Sequence, residues 1–231
     1  MFDSVLFIGR KKCIYSKKLK DFIFSKSKNF AYIESKYKKQ KIELNNNKKY
    51  DYIFCFRSFF ILKKKNLKQA KYGAINFHPG TPEFRGIGCI NYAIYKNKVK
   101  YGSTCHLMDE KIDNGKILDV SYYKIDKHLN LSQLLVKTHK TMFNQAKNII
   151  SLLIKDHSNL NKLIKKNDKI KWSKKIYKVK DLEKLYRIDL SKSKKKILNQ
   201  IRSTYLNDYK PYILNKKIKY FLDRKVFYEK N

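Results

Sequence analysis

The chain has 231 residues, of which 42% are hydrophobic, so it can bury one sizeable core plus a smaller appendage and is globular rather than disordered. Its net charge of +36 would suit a nucleic-acid partner, but the lysines are spread evenly and accompany an excess of Asn, Ile, Tyr and Phe, which we interpret as compositional drift rather than nucleic-acid binding. No stretch reaches the ~18 apolar residues of a membrane span, the N-terminus does not resemble a secretory signal, and the four cysteines lack paired spacing, so we expect a cytoplasmic protein with reduced thiols and no metal site.

Strands alternate with helices through the first two thirds of the chain, a pattern that predicts an α/β sheet. In chain order, the predicted elements are a strand at 4–9, a helix through Leu19, Phe22 and Ile23, a short strand at 30–33, a strand at 51–56, a helix near 63–70, a strand ending at Phe77, a helix at 89–95, strands at 101–108 and 116–125, and a long amphipathic helix at 131–154.

The amino-acid composition changes after Asp156. Residues 159–171 are polar and lysine-rich, which predicts a linker. The remaining predicted elements are helices at 180–186 and 193–205 and strand-like segments at 217–222 and 225–228, which a turn at Asp223-Arg224 would join. We therefore expect a core over residues 1–157 and a small α+β subdomain over 158–231, which would serve acceptor binding or oligomerisation.

The strand ending at Phe77 delivers two polar side chains, Asn76 and His78, to one face of the sheet. The loop over 79–86 contains two prolines and two glycines, which forbid regular structure beyond the strand end. Asp113 arrives later, in a turn closed by Asn114-Gly115. Because ligands bind at the carboxyl ends of strands in open α/β sheets, these three side chains predict an acyl-transfer site.

Asn76, His78 and Pro79, followed by Phe84-Arg85-Gly86 and later by Asp113-x-Gly115, resemble the signature of the folate-dependent formyltransferases. The resemblance covers about residues 51–120. It implies an α/β fold with a Rossmann-like formyltransferase core over 1–157. It also implies an enzyme that uses N10-formyltetrahydrofolate as its formyl donor, with no metal, and transfers the formyl group to an amine.

The predicted catalytic residues are Asn76, His78 and Asp113. An amine that attacks the formyl carbon produces a tetrahedral oxyanion, to which the imidazole and the side-chain amide can both donate hydrogen bonds. The carboxylate can orient His78 and relay the amine proton toward the leaving nitrogen. For His106, which lies in the strand before the Asp113 turn, a structural hydrogen bond and support of the site stay open as alternatives.

Residues 56–62 resemble the family's pterin pocket, where main-chain groups contact the ring; an ordinary strand-to-helix connection is the alternative. The predicted donor-binding residues are Phe56, Ser58, Phe59, Ile61 and Asp109. The predicted acceptor-binding residues are Arg85, Gly86, Trp172, Tyr209 and Tyr212. The alternatives are that Arg85 only ties down its loop and that the aromatic residues pack the core of the subdomain.

The shortened loop after His78 and the tail resemble those formyltransferases that act on nucleotide-linked amino sugars for surface polysaccharide, such as lipopolysaccharide. We therefore expect a nucleotide-sugar substrate and consider a homodimer. The alternative is a truncated methionyl-tRNA formyltransferase or a basic RNA-binding homologue, which would use the positive charge.

Overall fold

The structure is a computed structural model that describes residues 1–37, 40, 44–45 and 47–223. Its elements, in chain order, are β1 (Phe2–Arg10), α1 (Ile14–Phe24), β2 (Ser27–Ser35), β3 (Tyr50–Phe56), α2 (Lys64–Leu67), β4 (Ala70–His78), β5 (Arg85–Gly86), α3 (Cys89–Tyr95), β6 (Lys100–Leu107), β7 (Ile117–Lys124), α4 (Leu131–Lys155), α5 (Asn159–Lys166), β8 (Ile176–Tyr177), α6 (Val179–Tyr186), α7 (Lys194–Thr204), β9 (Tyr212–Asn215) and β10 (Ile218–Phe221).

The central sheet has the strand order β2-β1-β3-β4-β6-β7. The strands β2, β1, β3 and β4 run parallel, whereas β6 and β7 are antiparallel to their neighbours. The α/β fold with its Rossmann-like arrangement is thus confirmed. Because the four parallel strands share one direction, β1, β3 and β4 bring their carboxyl ends to the same edge.

Burial explains why the central strands are so apolar. Every residue of β3 is buried, as expected for a parallel strand that is covered on both faces. On one face, α1 and α4 pack against Phe54 and Phe77, and Met142 of α4 lies in the same cluster. On the other face, Ile53 and Leu62 belong to a smaller cluster.

The predicted helices and strands of the first 157 residues are confirmed, except that α2 is shorter than predicted. The predicted linker at 159–171 was wrong in its first half, which forms α5. Leu160, Leu163 and Ile164 have the spacing of one helix face and pack on the main core. Because α5 has so few apolar residues among its lysines, its sequence does not show a clear helical pattern.

The C-terminal residues dock on the core rather than standing apart from it. Asn91 of α3 donates to the Ser203 carbonyl of α7 at 2.7 Å, and Asn199 of α7 donates to the Tyr95 carbonyl at 2.8 Å. Tyr177 of β8 packs in the cluster around Phe84. The division at residue 157 therefore stays a prediction about chain organisation. Within the described residues, no helix is both long and apolar enough to cross a membrane.

The described residues end in a hairpin that differs from the predicted one. The predicted strand at 217–222 is confirmed as β10, but it pairs with β9, which the sequence did not suggest. Lys216 and Lys217 make the turn with positive φ values of 42° and 70°. The predicted partner strand at 225–228 and Arg224 of its predicted turn lie outside the described residues.

Candidate active site

The side chain of Asn76 lies at the carboxyl end of β4, directly opposite His106 of β6. Asn76 Nδ2 is 3.2 Å from His106 Nε2, and His106 Nδ1 is 2.7 Å from the Leu107 carbonyl. A carbonyl only accepts, so Nδ1 carries the proton and Nε2 accepts from the amide. The second amide hydrogen of Asn76 stays available, and this residue is only half-buried.

The imidazole of His78 is buried and has a partner at each nitrogen. Nε2 donates to the Phe84 carbonyl at 2.9 Å, and Nδ1 lies 3.4 Å from Asp113 Oδ2. The first contact needs Gly80, because a Cβ at that position would meet His78 Nε2 at 2.5 Å. Both nitrogens are thus engaged, so His78 donates to an oxyanion only after one of these contacts opens.

The carboxylate of Asp113 is held between two histidines and a backbone amide. Oδ2 accepts from the Gly86 N–H at 2.9 Å, and Oδ1 lies 3.7 Å from His106 Nε2. Burial raises the pKa of Asp113, but His78 and His106 in their protonated forms, together with the Gly86 N–H, outweigh burial and keep this pKa well below its usual value. Asp113 is therefore ionised, and the lowered pKa makes it a weak base that holds a proton only transiently.

Trp172 covers this cluster from the C-terminal segment. The centroid of its ring is 5.0 Å from that of His106 and 5.9 Å from that of His78, edge-on to both. Its Nε1 donates to the Gly115 carbonyl at 2.8 Å. These contacts engage the ring with the histidines themselves, and they differ from the predicted stacking on a nucleotide base. An open groove of about 500 Å³ lies beside it, lined in part by Lys98, Lys100 and Tyr122.

Arg85 is buried, and its guanidinium is hydrogen-bonded within the protein. Its guanidinium donates to the carbonyls of Ser173 and Ile112, both at 2.9 Å, and to Asn114 Oδ1 at 3.3 Å. These bonds tie the loop 79–86 to the Asp113 turn and to the C-terminal segment. The alternative prediction, a residue that ties down the loop, is the one that fits.

Gly86 also serves the loop rather than the acceptor. Its φ is +90°, and a Cβ there would meet the Tyr177 carbonyl at 2.3 Å, where β5 and β8 pair. Only glycine combines this backbone conformation with so close an approach. Gly86 therefore has a packing and turn role, and the predicted acceptor contact stays a prediction.

Four of the predicted donor-binding residues lie at the end of β3 or directly after it, in different settings. The side chain of Phe56 is fully buried in the core, so only its main chain could meet a ligand. Ser58 Oγ accepts from the Phe60 N–H at 2.9 Å, and the Phe59 N–H donates to Ser35 Oγ at 2.8 Å. Ile61 is exposed.

Asp109 lies on the loop after β6. Its Oδ1 accepts from the Lys111 N–H at 2.8 Å, and Oδ2 accepts from Asn114 Nδ2 at 2.7 Å. The residue also lines a second open groove, together with Leu67 and Glu110.

Tyr209 and Tyr212 are not brought to the catalytic loop. Tyr209 is exposed and its backbone pairs with Leu206. The ring of Tyr212 packs on Phe221 within the hairpin. No hydrogen bond or ring contact between described residues joins either tyrosine to the loop 79–86, so their predicted role in base stacking lacks support from the fold.

Sequence reasoning left His106 undecided and missed two contacts of His78. The structure makes His106 a direct neighbour of Asn76 and Asp113. The signal was present, because β6 pairs with β4 and places His106 opposite Asn76. The Phe84 carbonyl and Cys89, whose Sγ is 3.7 Å from His78 Nε2, have no sequence signal.

An amide donor, an ionised carboxylate and two imidazoles thus converge at one strand end. This set can bind a developing negative charge and take a proton from an attacking group. Among the residues that the structure describes, no group of three or more His, Cys, Asp or Glu is arranged to hold a metal ion.

Three comparisons bear on this site. A family model described as formyl transferase matches residues 8–146. The methionyl-tRNA formyltransferase of Bacillus velezensis is 34% identical over 147 residues, which are 62% of this chain and 43% of that protein. The chain thus spans less than half the length of that curated relative.

Solved structures match over nearly the whole chain. A 4-N formyltransferase from Francisella tularensis has a TM-score of 0.73 at 24% identity, with 95% of this chain and 96% of that chain covered. An N-formyltransferase from Helicobacter canadensis, described in complex with folinic acid and dTDP-3-aminofucose, has a TM-score of 0.68 at 17% identity, with 94% and 86% covered. At these identities the likeness shows a shared fold.

Proposed function

The chain belongs to the formyl transferase family, and we propose that it transfers a formyl group from N10-formyltetrahydrofolate to the amine of a nucleotide-linked amino sugar. The observation that carries this proposal is the cluster of Asn76, His78, His106 and Asp113 at the carboxyl end of β4 and its neighbours. We call these four residues the catalytic cluster. They supply the two functions that formyl transfer to an amine needs, namely oxyanion binding and proton removal.

The reaction begins when the unprotonated amine attacks the formyl carbon. The carbonyl oxygen becomes an oxyanion, and Asn76 Nδ2 donates its remaining hydrogen to it. Removal of one such donor typically costs about 2.7–4 kcal/mol of transition-state stabilisation. His106 holds the amide in place, because its Nε2 accepts the other hydrogen.

The amine gains positive charge as it attacks and must lose a proton. Asp113 is the ionised group nearest to Asn76 and His106, so we assign it as the acceptor, directly or through water, and as the source of the proton for the leaving nitrogen. His78 keeps the carboxylate in position and becomes its counter-ion when Nδ1 is protonated. Donation from His78 to the oxyanion requires the Phe84 contact to open.

The extent of the structural likeness favours a sugar acceptor. The sugar N-formyltransferase from a Shewanella species covers 95% of this chain and 96% of its own, so the C-terminal segment takes part in the match. The methionyl-tRNA formyltransferase matches only 43% of its own length. We further propose that Phe56, Ser58, Phe59, Ile61 and Asp109 form the donor site. We also propose that the enzyme works in the cytoplasm as a homodimer and that its product enters surface polysaccharide.

A second function has one specific observation in its favour, since the curated relatives named by sequence are methionyl-tRNA formyltransferases. The net charge of +36 also suits RNA. In this case the chain would formylate or bind an aminoacylated tRNA.

One experiment separates the two. The full chain is incubated with N10-formyltetrahydrofolate and, in parallel, with a panel of nucleotide-linked amino sugars or with methionyl-tRNA, and each acceptor is weighed by mass spectrometry. The proposal expects one added CO on a sugar nucleotide and none on the tRNA. Formylation of the tRNA alone would establish the second function, and formylation of neither would contradict both.

A further inference from the structure

Two arginines lie side by side where β1 and β3 end. Arg10 is the last residue of β1, and Arg57 follows β3 with a positive φ of 54°. Arg10 Nε donates to the Arg57 carbonyl at 2.9 Å, and its guanidinium lies 3.1 Å from the centroid of the Phe59 ring. Arg57 Nη1 donates to Cys13 Sγ at 3.3 Å. We call Arg10 and Arg57 the arginine pair.

The arginine pair has no carboxylate partner in the described part of the chain, and the group beside it is the Cys13 thiol. Burial raises the pKa of this thiol, but hydrogen bonds from Ser16 and the charge of Arg57 lower it overall. Across the described residues, no carboxylate lies within ion-pair distance of either guanidinium, although both are half-buried. Burial and then the charge of Arg57 lower the pKa of Arg10 to about 10. On the facing helix α4, burial and both arginines lower the pKa of His139 to about 3. A neutral histidine therefore adds no further charge.

Such an arrangement costs free energy unless an anion enters. Like charges repel in a partly desolvated setting, and the left-handed backbone of Arg57 adds strain. The N-terminus of α1 begins at Ile14, beside Cys13, and has no acidic residue in its first turn. Guanidinium groups match phosphate oxygens through paired hydrogen bonds.

The distance from the arginine pair to the catalytic cluster suits a nucleotide-linked amino sugar. Phe56 pairs with Phe77, and Gly9 pairs with Phe56, so β1, β3 and β4 are successive neighbours. Neighbouring strands are about 4.8 Å apart. The ends of β3 and β1 are therefore about 5 and 10 Å from the strand that carries Asn76. A sugar ring with its glycosidic phosphate has a span of this order.

We propose that Arg10 and Arg57 bind the diphosphate group of the nucleotide-linked acceptor while its amine reaches the catalytic cluster. The identity of the acceptor rests on the proposed function, but the anion site does not. Inorganic diphosphate has the same chemistry as the bound group and contains neither amine nor sugar, so it tests the site alone.

The test is a calorimetric titration of the full chain with inorganic diphosphate at about physiological ionic strength, where exposed charges are largely screened. Arg10→Gln and Arg57→Gln are compared with two control variants. Lys140→Gln removes an exposed charge beside His139, and Lys100→Gln removes one from the groove next to Trp172. Arg10→Lys keeps the charge and guards against a folding defect in the glutamine variant.

Each Gln variant of the arginine pair is expected to bind diphosphate about 10- to 100-fold more weakly, the loss typical of one charge-assisted hydrogen bond. The control variants are expected to lose less than about twofold, as for screened surface charges. Arg10→Lys is expected to lie between, because lysine lacks the planar fork. Equal losses in all variants would show general attraction to a basic chain and overturn the site.

Unchanged affinity in both Gln variants would also overturn it. Failure of the proposed function can be told apart from failure of the anion site. If the chain binds diphosphate through the arginine pair but formylates no amino sugar, the anion site stands and the proposed function is wrong. Uridine diphosphate serves as a third ligand. Tighter binding of uridine diphosphate than of inorganic diphosphate supports a nucleotide acceptor, and equal or weaker binding overturns the nucleotide part of the proposal.

Discussion

The catalytic cluster and the arginine pair lie near each other at the carboxyl edge of the sheet, but they differ in how their charges are balanced. In the catalytic cluster, the Asp113 carboxylate has His78, His106 and a backbone N–H as partners. In the arginine pair, two positive groups face each other with no carboxylate in reach among the described residues. Groups that perform chemistry must hold a fixed geometry, whereas groups that bind an anion gain by leaving their charge unmatched until it arrives.

Among the variants that remove or displace one hydrogen bond of the catalytic cluster, the largest effect is expected from removal of the free amide. Asn76→Ala leaves the oxyanion without its donor, and kcat should fall roughly 100- to 1,000-fold. The measurement is steady-state formyl transfer to the sugar nucleotide. The matched control is Asn199→Ala, which removes two hydrogen bonds to carbonyls at the end of α3 and should lower stability by about 1–3 kcal/mol with kcat unchanged. Equal kcat values for Asn76→Ala and wild type would contradict the role of the amide.

The next effect concerns the positioning of His78. Gly80→Ala places a Cβ against His78 Nε2 and the Phe84 carbonyl, so the ring must shift away from Asp113. Formyl transfer should fall roughly 100-fold, as for a misplacement of about 1 Å. Gly73→Ala is the control, since its Cβ meets only the ends of the Leu107 and Leu160 side chains. Near-normal turnover in Gly80→Ala would show that the His78–Phe84 contact is dispensable.

A smaller effect appears in the pH dependence of stability. The pKa of Asp113 is lower in the folded protein than the value of about 3.9 in an unfolded chain. The unfolded state therefore binds more protons in this range, and the contribution of Asp113 is complete above about pH 5 and declines as the pH falls below about 4. Urea unfolding of wild type and Asp113→Asn should differ most near neutral pH, and the difference should shrink toward about pH 3. A constant difference would mean that the carboxylate charge does not stabilise the fold.

The smallest predicted effect is a gain in the free energy of unfolding. A gain is expected for a variant of the arginine pair, whereas loss of the Asp113 charge from the catalytic cluster should lower stability. Arg57→Gly relieves a left-handed residue and a like-charge contact, so the free energy of unfolding should rise by up to about 1 kcal/mol. The same change should weaken binding of diphosphate. Lys216→Gly, with a φ of 42° in the hairpin turn, should raise stability without changing the affinity. A loss of stability in Arg57→Gly would show that the pair is structural.

Much of the fold was predictable because its signals are local. The apolar run of β3 is enough to predict a buried strand, and the periodic apolar face of α4 is enough to predict a long helix. The close spacing of Asn76 and His78 on β4 placed half of the catalytic cluster. In contrast, α5 was missed because only Leu160, Leu163 and Ile164 give it an apolar face.

The parts that the sequence did not reveal depend on contacts between distant segments. Arg10 and Arg57 are 47 positions apart, and only the neighbouring of β1 and β3 joins them. Trp172 was predicted to stack on a nucleotide base because the tail resembles that of formyltransferases acting on nucleotide-linked amino sugars. Its position over His78 and His106 follows from backbone and side-chain bonds, such as Ser173 N to the Pro82 carbonyl, that no local pattern indicates.

The most direct measurement of the central claim is formyl transfer by Asp113→Asn compared with Glu110→Gln, read as the mass of the sugar nucleotide after incubation with N10-formyltetrahydrofolate. Glu110 is an exposed carboxylate on the same turn, paired with Lys64. The account predicts that Asp113→Asn loses roughly 100- to 10,000-fold in rate, as for loss of a general base, while Glu110→Gln stays near wild type and both variants remain folded. Wild-type turnover in a folded Asp113→Asn variant would contradict it.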